Sequence, residues 1–224
     1  MAHIPTPQLP FRNRVQAGQL LAEALRDYAA RSDVIVLALP RGGVPVAFEV
    51  ARALKAPLDL MLVRKLGTPG QEELAMGAIA SGGVRVLNDE VVHMLRISAD
   101  VIEVVARREH KELERRQKAY RGDRPPPQLA GKCVILIDDG IATGATIRSA
   151  VRAVRAQAPL RIVVAAPMAP GETVDVLKQE ADEVVCLATP EPFNAIGCWY
   201  HEFPQTSDDE VKDLLVRAGK LAAA

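Results

Sequence analysis

Five short apolar runs, rich in β-branched residues and separated by helical patterns, constrain the fold of this chain more than any other feature. They are Val34–Leu39, Leu58–Val63, Cys133–Ile137, Ile162–Ala166 and Val184–Leu187. A strand that is apolar on both faces must be covered on both faces, and parallel sheets achieve this with crossover helices. The segments between the runs supply those helices, with apolar residues at helical spacing over roughly 14–31, 44–54, 144–157, 171–181 and 208–219. The alternation predicts an α/β fold: a doubly wound, mainly parallel five-stranded sheet flanked by helices. A length of 224 residues suits one such domain over 1–224, with a small accessory lobe.

Residues 64–124 interrupt the alternation. A Gly-rich stretch leads through Ala75–Ala80 and Ser81-Gly82-Gly83 to Val84–Leu87, the pattern of a hairpin. A long helix follows from Ser98, a good N-cap residue, to Tyr120. Its cations (Arg107, Arg108, Lys111, Arg115, Arg116 and Lys118) alternate with Glu103, Glu109, Glu112 and Glu114, which predicts a solvated, self-paired face. Pro125-Pro126-Pro127 is a stiff connector into the strand at 133.

Composition excludes several classes. Lys plus Arg and Asp plus Glu both number 28, so the net charge is zero, which argues against a general nucleic-acid binder. The balance is uneven along the chain. Residues 1–132 hold 20 basic and 15 acidic side chains (+5), and residues 133–224 hold 8 and 13 (−5). No apolar run approaches the ~20 residues of a membrane span. Met1–Pro7 lacks the build of an export signal, so a cytoplasmic protein is expected. Cys133, Cys186 and Cys198 are odd in number and lack C-x-x-C spacing, which suggests neither a disulfide framework nor a zinc site. The first two sit in apolar runs and read as inert core thiols.

The chemistry concentrates in Val134-Ile-Leu-Ile-Asp138-Asp139-Gly140-Ile141-Ala142-Thr143-Gly144-Ala145-Thr146. An apolar strand ends in two adjacent carboxylates, then a loop of small residues, then a helix start. Ligands of open α/β sheets bind at the carboxyl ends of strands. A small-residue loop leaves backbone N–H groups free, and the helix start adds its positive dipole end, so residues 142–146 suit a monophosphate. Asp138 and Asp139 repel each other unless donors or a cation meet them. Vicinal sugar hydroxyls next to the phosphate would supply donors, and a bound Mg²⁺ would offset the charge. A Walker loop does not fit, because Gly140 and Gly144 are only four apart and Ala145 stands where the Lys would be.

Two further segments lie at strand ends. Leu39-Pro40-Arg41-Gly42-Gly43-Val44-Pro45 is a strand-to-helix turn whose glycines permit close approach to an anion and whose Arg41 adds fixed charge. Arg64-Lys65-Leu66-Gly67-Thr68-Pro69-Gly70 places two cations before a glycine-punctuated loop at the end of the second apolar run.

The 134–146 segment resembles the fingerprint of the type I phosphoribosyltransferases, in which a strand, two acidic residues and a T-G-x-T loop hold phosphoribosyl pyrophosphate (PRPP). Strand order and spacing extend the resemblance over about residues 30–190, with a flap at about 64–88 and a C-terminal tail from about 189 to 224. The resemblance implies a transferase (a glycosyltransferase of nucleotide metabolism) that displaces pyrophosphate from PRPP by a nitrogenous base. It implies that Asp138 and Asp139 hold the ribose hydroxyls and the Mg²⁺ carried by PRPP, and that Ala142, Thr143, Gly144, Ala145 and Thr146 wrap the 5′-phosphate. Arg41, Gly42 and Gly43 correspond to the pyrophosphate loop, which in this family often contains a non-proline cis peptide. The Arg64–Lys65 pair is similar to that of adenine phosphoribosyltransferases, on a mobile flap over 66–83 that also carries Glu72 and Glu73, which read as solvent-facing. Implied partners are small-molecule substrates, with a homo-oligomer as one option. The same fold also serves PRPP-sensing regulators, and water as acceptor would make a hydrolase. Both alternatives stay open.

Aromatics are scarce at 4%, yet four of the eight fall between Phe193 and Phe203, after the fifth strand, where the family usually contacts its base. A flat heterocycle stacking on Phe193 or Trp199 is one reading. The other is that these rings anchor the tail, which suits Trp199, Tyr200 and Phe203 better than Phe193.

Overall fold

The computed structural model describes residues 7–222, without the side chains of Glu72, Glu73 and Ala222. The expectation about an export signal in the first residues therefore falls largely outside the described part. Among the described residues, no helix is long and apolar enough to cross a membrane.

Helix α1 (Arg14–Ala24) opens the fold, capped by the Asn13 side chain, which accepts from Gln16 N at 3.1 Å. A short 3₁₀ turn at Arg26–Tyr28 ends it, earlier than the helical pattern to 31 suggests. Strand β1 (Val34–Ala38) leads into α2 (Gly43–Leu54) and β2 (Leu58–Leu60). After an inserted lobe come β6 (Cys133–Ile137), α5 (Ala145–Arg155), β7 (Arg161–Met168), α6 (Gly171–Glu180) and β8 (Glu183–Ala188). A tail crosses back to α7 (Asp208–Ala222).

The main sheet has the order β2-β1-β6-β7-β8, all parallel. Alternate residues of each central strand serve different cores. Val34, Val36, Ala38, Ile135, Ile137, Val163 and Ala165 pack with α1, α2 and α7. Ile35, Leu37, Val134, Leu136, Ile162 and Val164 pack with α5 and α6. The doubly wound sheet expected from the apolar runs is present. From β1 the chain turns to β2 on one side, and from β6 to β7 on the other, so the order reverses between β1 and β6. Crevices outside such a switch point are where open α/β sheets hold ligands.

The inserted lobe corrects one expectation. The run Leu58–Val63 is not one strand: β2 stops at Leu60, and Val63–Thr68 forms β3 in a second, antiparallel sheet with β4 (Gln71–Ala80) and β5 (Val84–Leu87). The region read as a mobile flap loop is thus regular structure closed by a tight turn at Pro69–Gly70, with β4–β5 forming the expected hairpin. Helix α3 (Asp89–Met94) and the long helix α4 (Ala99–Arg121) complete the lobe, α4 packing on β3. Ser98 caps α4, as its sequence suggests, accepting from Val101 N at 3.4 Å.

Candidate phosphoribosyl site

Two loops meet at the carboxyl ends of β1 and β6. Strand β6 is fully buried and delivers Asp138, Asp139 and Gly140 to the switch point. The two carboxylates then diverge. Asp138 is half-buried, and its Oδ1 accepts from the Asp139 backbone N–H at 2.9 Å. Loss of hydration and the neighbouring Asp139 raise its carboxyl well above the usual carboxylate range. Asp139 is buried and accepts at Oδ2 from Arg14 Nε at 2.8 Å. The Tyr200 hydroxyl donates to the Asp139 carbonyl at 2.6 Å.

The loop that follows is built from small residues for steric reasons. A Cβ on Gly140 would lie 2.6 Å from Ile196 Cγ2 and 2.9 Å from Met168 Sδ. Gly144 has φ +74°, a conformation that favours glycine, and precedes α5 directly. Thr173 of α6 donates its hydroxyl to the Ala142 carbonyl at 2.9 Å, pinning the loop from behind. Ala142, Thr143, Ala145 and Thr146 are exposed. First-turn N–H groups of a helix have no intrahelical partner, so α5 presents donors and the positive end of its dipole at this spot. The helix starts at Ala145, one residue later than the sequence pattern suggests.

The second loop lies against the first. Leu39 N donates to the Ile137 carbonyl at 2.9 Å, and the Pro40–Arg41 peptide is cis, as anticipated for a non-proline bond near Arg41. A Cβ on Gly42 would lie 2.1 Å from Asp139 Oδ2, and one on Gly43 would lie 2.7 Å from the Ile137 carbonyl oxygen. Both glycines are therefore demanded by the packing of one loop on the other. Arg41 is partly exposed, with Nη1 at 3.5 Å from Asp208 Oδ1 at the start of α7. Asp208 also accepts from the Tyr120 hydroxyl at 2.6 Å.

Arg64 and Lys65 are neighbours on β3. Neighbouring residues of a strand point to opposite faces, so both cannot turn to one site. Arg64 is turned to α4, donating to the buried Glu109 from Nη2 at 2.6 Å and Nε at 2.9 Å. Glu109, expected on a solvated face, is thus a structural partner of β3. Elsewhere on α4, Glu112 pairs with Arg115 and Arg116 and His110 with Glu114, as a self-paired face would, while Glu103 is shared between Arg107 and Arg85 of β5. Glu72 and Glu73 carry side chains outside the described residues.

The aromatic cluster divides. Tyr200 is buried, stacks on Phe203 with centroids 4.9 Å apart, and lies 5.8 Å from Phe11. Phe11 N donates to the Trp199 carbonyl at 2.9 Å and His201 N to the Phe11 carbonyl at 2.8 Å, so the tail pairs with the segment before α1. Phe193 and Trp199 are half-buried, with ring centroids 6.5 Å apart, and the Trp199 indole N–H is buried without a hydrogen-bond partner among the described residues. Of the cysteines, Cys133 is buried and Cys186 half-buried, its thiol pushed up to about 11 by loss of hydration, while Cys198 is exposed. Arg14, Thr173 and Asp208, which hold the two loops, carry no signal in the sequence that separates them from other surface or core positions, whereas Tyr200 stands out there as a member of the aromatic cluster.

A parallel sheet with an acidic pair and a small-residue loop at its switch point defines an α/β protein whose candidate site lies at the carboxyl ends of β1 and β6. The model of the phosphoribosyl transferase domain matches residues 12–200, and the chain belongs to that family. It is 50% identical over 208 residues to proteins provisionally named phosphoribosyl transferases in two strains of Mycobacterium tuberculosis, CDC 1551 and H37Rv. The match takes in 93% of this chain and 47% of each relative, so the chain spans about half the length of the curated relatives it matches. It also resembles the crystal structure of TT1426 from Thermus thermophilus, at 43% identity and a TM-score of 0.84, over 92% of this chain and 98% of that one.

Proposed function

We propose that this chain transfers a phosphoribosyl group from PRPP to a nitrogenous base, with Mg²⁺, and releases pyrophosphate. The observation that carries the reading is the convergence of two loops at one switch point. An exposed small-residue loop opens α5 beside Asp138, and the Arg41–Gly43 loop packs directly against it.

In this reading the 5′-phosphate lies on the N–H groups of residues 142–146 and the Thr143 and Thr146 hydroxyls. Asp138 accepts from the ribose hydroxyls. Arg41 and the backbone at Gly42 and Gly43 take the pyrophosphate. The C1–O bond to pyrophosphate breaks as a ring nitrogen bonds C1, through a transition state of oxocarbenium character like other glycosyl transfers. Arg41 meets the charge that develops on the leaving group. The donor set suits Mg²⁺: it usually binds through one or two carboxylates together with substrate phosphates, and Asp138 lies in the loop beside Asp139, whose carboxylate is the one that pairs with Arg14. When bound, the ion would neutralise pyrophosphate charge. Phe193 and Trp199, with its unpaired indole N–H, are the base contacts this reading assigns. Lys65, on the face of β3 opposite Arg64, is left to the lobe's approach to the site.

The test is pyrophosphate release from PRPP and Mg²⁺ with a panel of purine, pyrimidine and other nitrogen bases. Release that depends on one base supports the transferase. Ribose 5-phosphate formed with no base would replace it with a hydrolase, and PRPP binding without turnover on any acceptor would replace it with a sensor.

A further inference from the structure

Asp139 is held at three points. Its Oδ2 accepts from Arg14 Nε at 2.8 Å, its carbonyl accepts from the Tyr200 hydroxyl at 2.6 Å, and its N–H donates to Asp138 Oδ1 at 2.9 Å. Its own Oδ1, in contrast, accepts no hydrogen bond among the described residues. Arg14 is pinned in turn. Its Nη1 donates to the Pro204 carbonyl at 2.7 Å, and the guanidinium lies 3.8 Å from the centre of the Phe203 ring. Gly42 backs onto the oxygen that Arg14 holds, where a Cβ would meet Oδ2 at 2.1 Å.

Arg14 is only 9% exposed. Apolar residues of similar volume often replace a buried ion pair without loss, so fold stability is a weak reason for an arginine here. Charge and orientation are stronger ones. Two adjacent carboxylates repel a phosphate-bearing ligand, and a guanidinium 2.8 Å from one of them offsets that repulsion. A carboxylate already fixed through one oxygen also has less freedom to lose when the other oxygen meets a ligand.

We infer that Arg14 is a positioning residue for the phosphoribosyl site. Its clamp on Oδ2 fixes the Asp139 carboxylate beneath the Arg41–Gly43 loop and leaves Oδ1 as the oxygen offered to ligand, a ribose hydroxyl or the Mg²⁺ carried by PRPP. Arg14 touches neither and acts through Asp139. The segment before β1 and the tail after β8 thereby join the site's framework, Arg14 from one and Tyr200, Phe203 and Pro204 from the other. This inference rests on the PRPP reading above and refines it.

A residue that acts only through its neighbour loses its effect once that neighbour is altered, so a double-mutant cycle on PRPP affinity tests the clamp. Calorimetric titration of PRPP with Mg²⁺ would compare the wild-type chain with Arg14→Lys, Arg14→Met, Asp139→Asn and Arg14→Met/Asp139→Asn, with thermal unfolding to check that each is folded. Arg14→Met is expected to weaken binding about tenfold, yet to change it by less than about twofold in the Asp139→Asn background, a coupling in the range for residues in contact. Arg14→Lys, which keeps a cation but not the planar fork, should bind more tightly than Arg14→Met, and an equal loss in the two would overturn the clamp. An arginine with a purely structural role would lower Tm and leave the affinity of the folded chain unchanged. That result, or equal losses in both backgrounds, overturns this inference alone. If Arg14→Met does not fold, Asp139→Asn and the double variant decide: a double that binds as tightly or more tightly supports the clamp, and one that binds more weakly overturns it. A wild-type chain that binds no PRPP overturns the underlying reading as well.

Discussion

Gly42→Ala tests the packing of the two loops without touching a charged group. Gly42 has φ −60° and ψ −34°, which alanine adopts freely, so no backbone penalty arises. The added carbon would lie 2.1 Å from Asp139 Oδ2, 2.6 Å from its Cγ and 2.9 Å from Oδ1. A side-chain terminus can usually swing aside, but this one is buried and bonded to Arg14. Overpacking of this kind costs about 1–3 kcal/mol. In a domain of this size each kcal/mol moves Tm by about 2–4 °C, so Tm should fall by about 2–12 °C. Gly43→Ala should cost at least as much, because its neighbours at 2.7 and 2.9 Å are the Ile137 carbonyl oxygen and Asp138 Cα, backbone atoms with less freedom to move. Gly171→Ala is the control: nothing lies within 4 Å, and alanine in a helix is favoured over glycine by up to about 1 kcal/mol. Scanning calorimetry on the three variants reads the order directly. A Gly42→Ala chain that melts with the wild type would refute the account of Asp139 as a fixed surface beneath this loop.

Three other outcomes follow from the same geometry. The chain has three tyrosines, and burial is the largest cause in raising all three, with Tyr28 and Tyr120 pushed up to about 12 and Tyr200 higher still. A phenol whose folded pKa is raised contributes stability fully present below its unfolded value of about 10 and lost as pH climbs through about 12. Tyrosinate absorbance should accordingly stay flat near pH 10 and rise with unfolding above it, whereas a step near pH 10 in the folded protein would contradict the burial. Asp208→Ala removes an exposed competitor for Arg41 and should tighten PRPP binding, by up to about fivefold given the small worth of exposed pairs; weaker binding would mean that Asp208 orients Arg41. Arg64→Ala leaves Glu109 with Arg108 alone and should destabilise the fold by about 1.5–3 kcal/mol in denaturant unfolding, with PRPP affinity within about twofold of wild type; a large affinity loss would return Arg64 to the pyrophosphate site.

What the sequence reveals depends on how local the cause is. The central strands are legible because burial on both faces makes each run apolar throughout. The small-residue loop is legible because its steric demands, at Gly140 and Gly144, fall within a few residues of the carboxylates. The β4–β5 hairpin is legible from its turn, but β3 and its pairing with β4 are not, because β3 carries the adjacent charges Arg64 and Lys65 and β4 is dominated by Ala and Gly at its end, so neither shows a clean alternation. The bond between Arg64 and Glu109 spans 45 residues, which hides both the strand's face and the buried end of α4's charge pattern. The clamp on Asp139 is more hidden still. Arg14 is 125 residues from its partner, on a helix whose sequence gives no sign that an arginine points inward. The aromatic cluster is visible as a cluster, but only the pairing of Phe11 with Tyr200 shows that part of it fastens the tail after β8 to the segment before α1.

In the proposed function the switch point between β1 and β6 binds PRPP, with Asp138 in contact with the sugar. Calorimetric titration of PRPP with Mg²⁺ into the wild-type chain and into Asp138→Asn tests it most directly. One saturable site is expected in the wild type, with a loss of about 1–3 kcal/mol of binding free energy, roughly fivefold to more than a hundredfold, when the carboxyl acceptor is removed. A wild-type chain that takes up no PRPP, or an Asp138→Asn chain that binds it equally well, would contradict the claim.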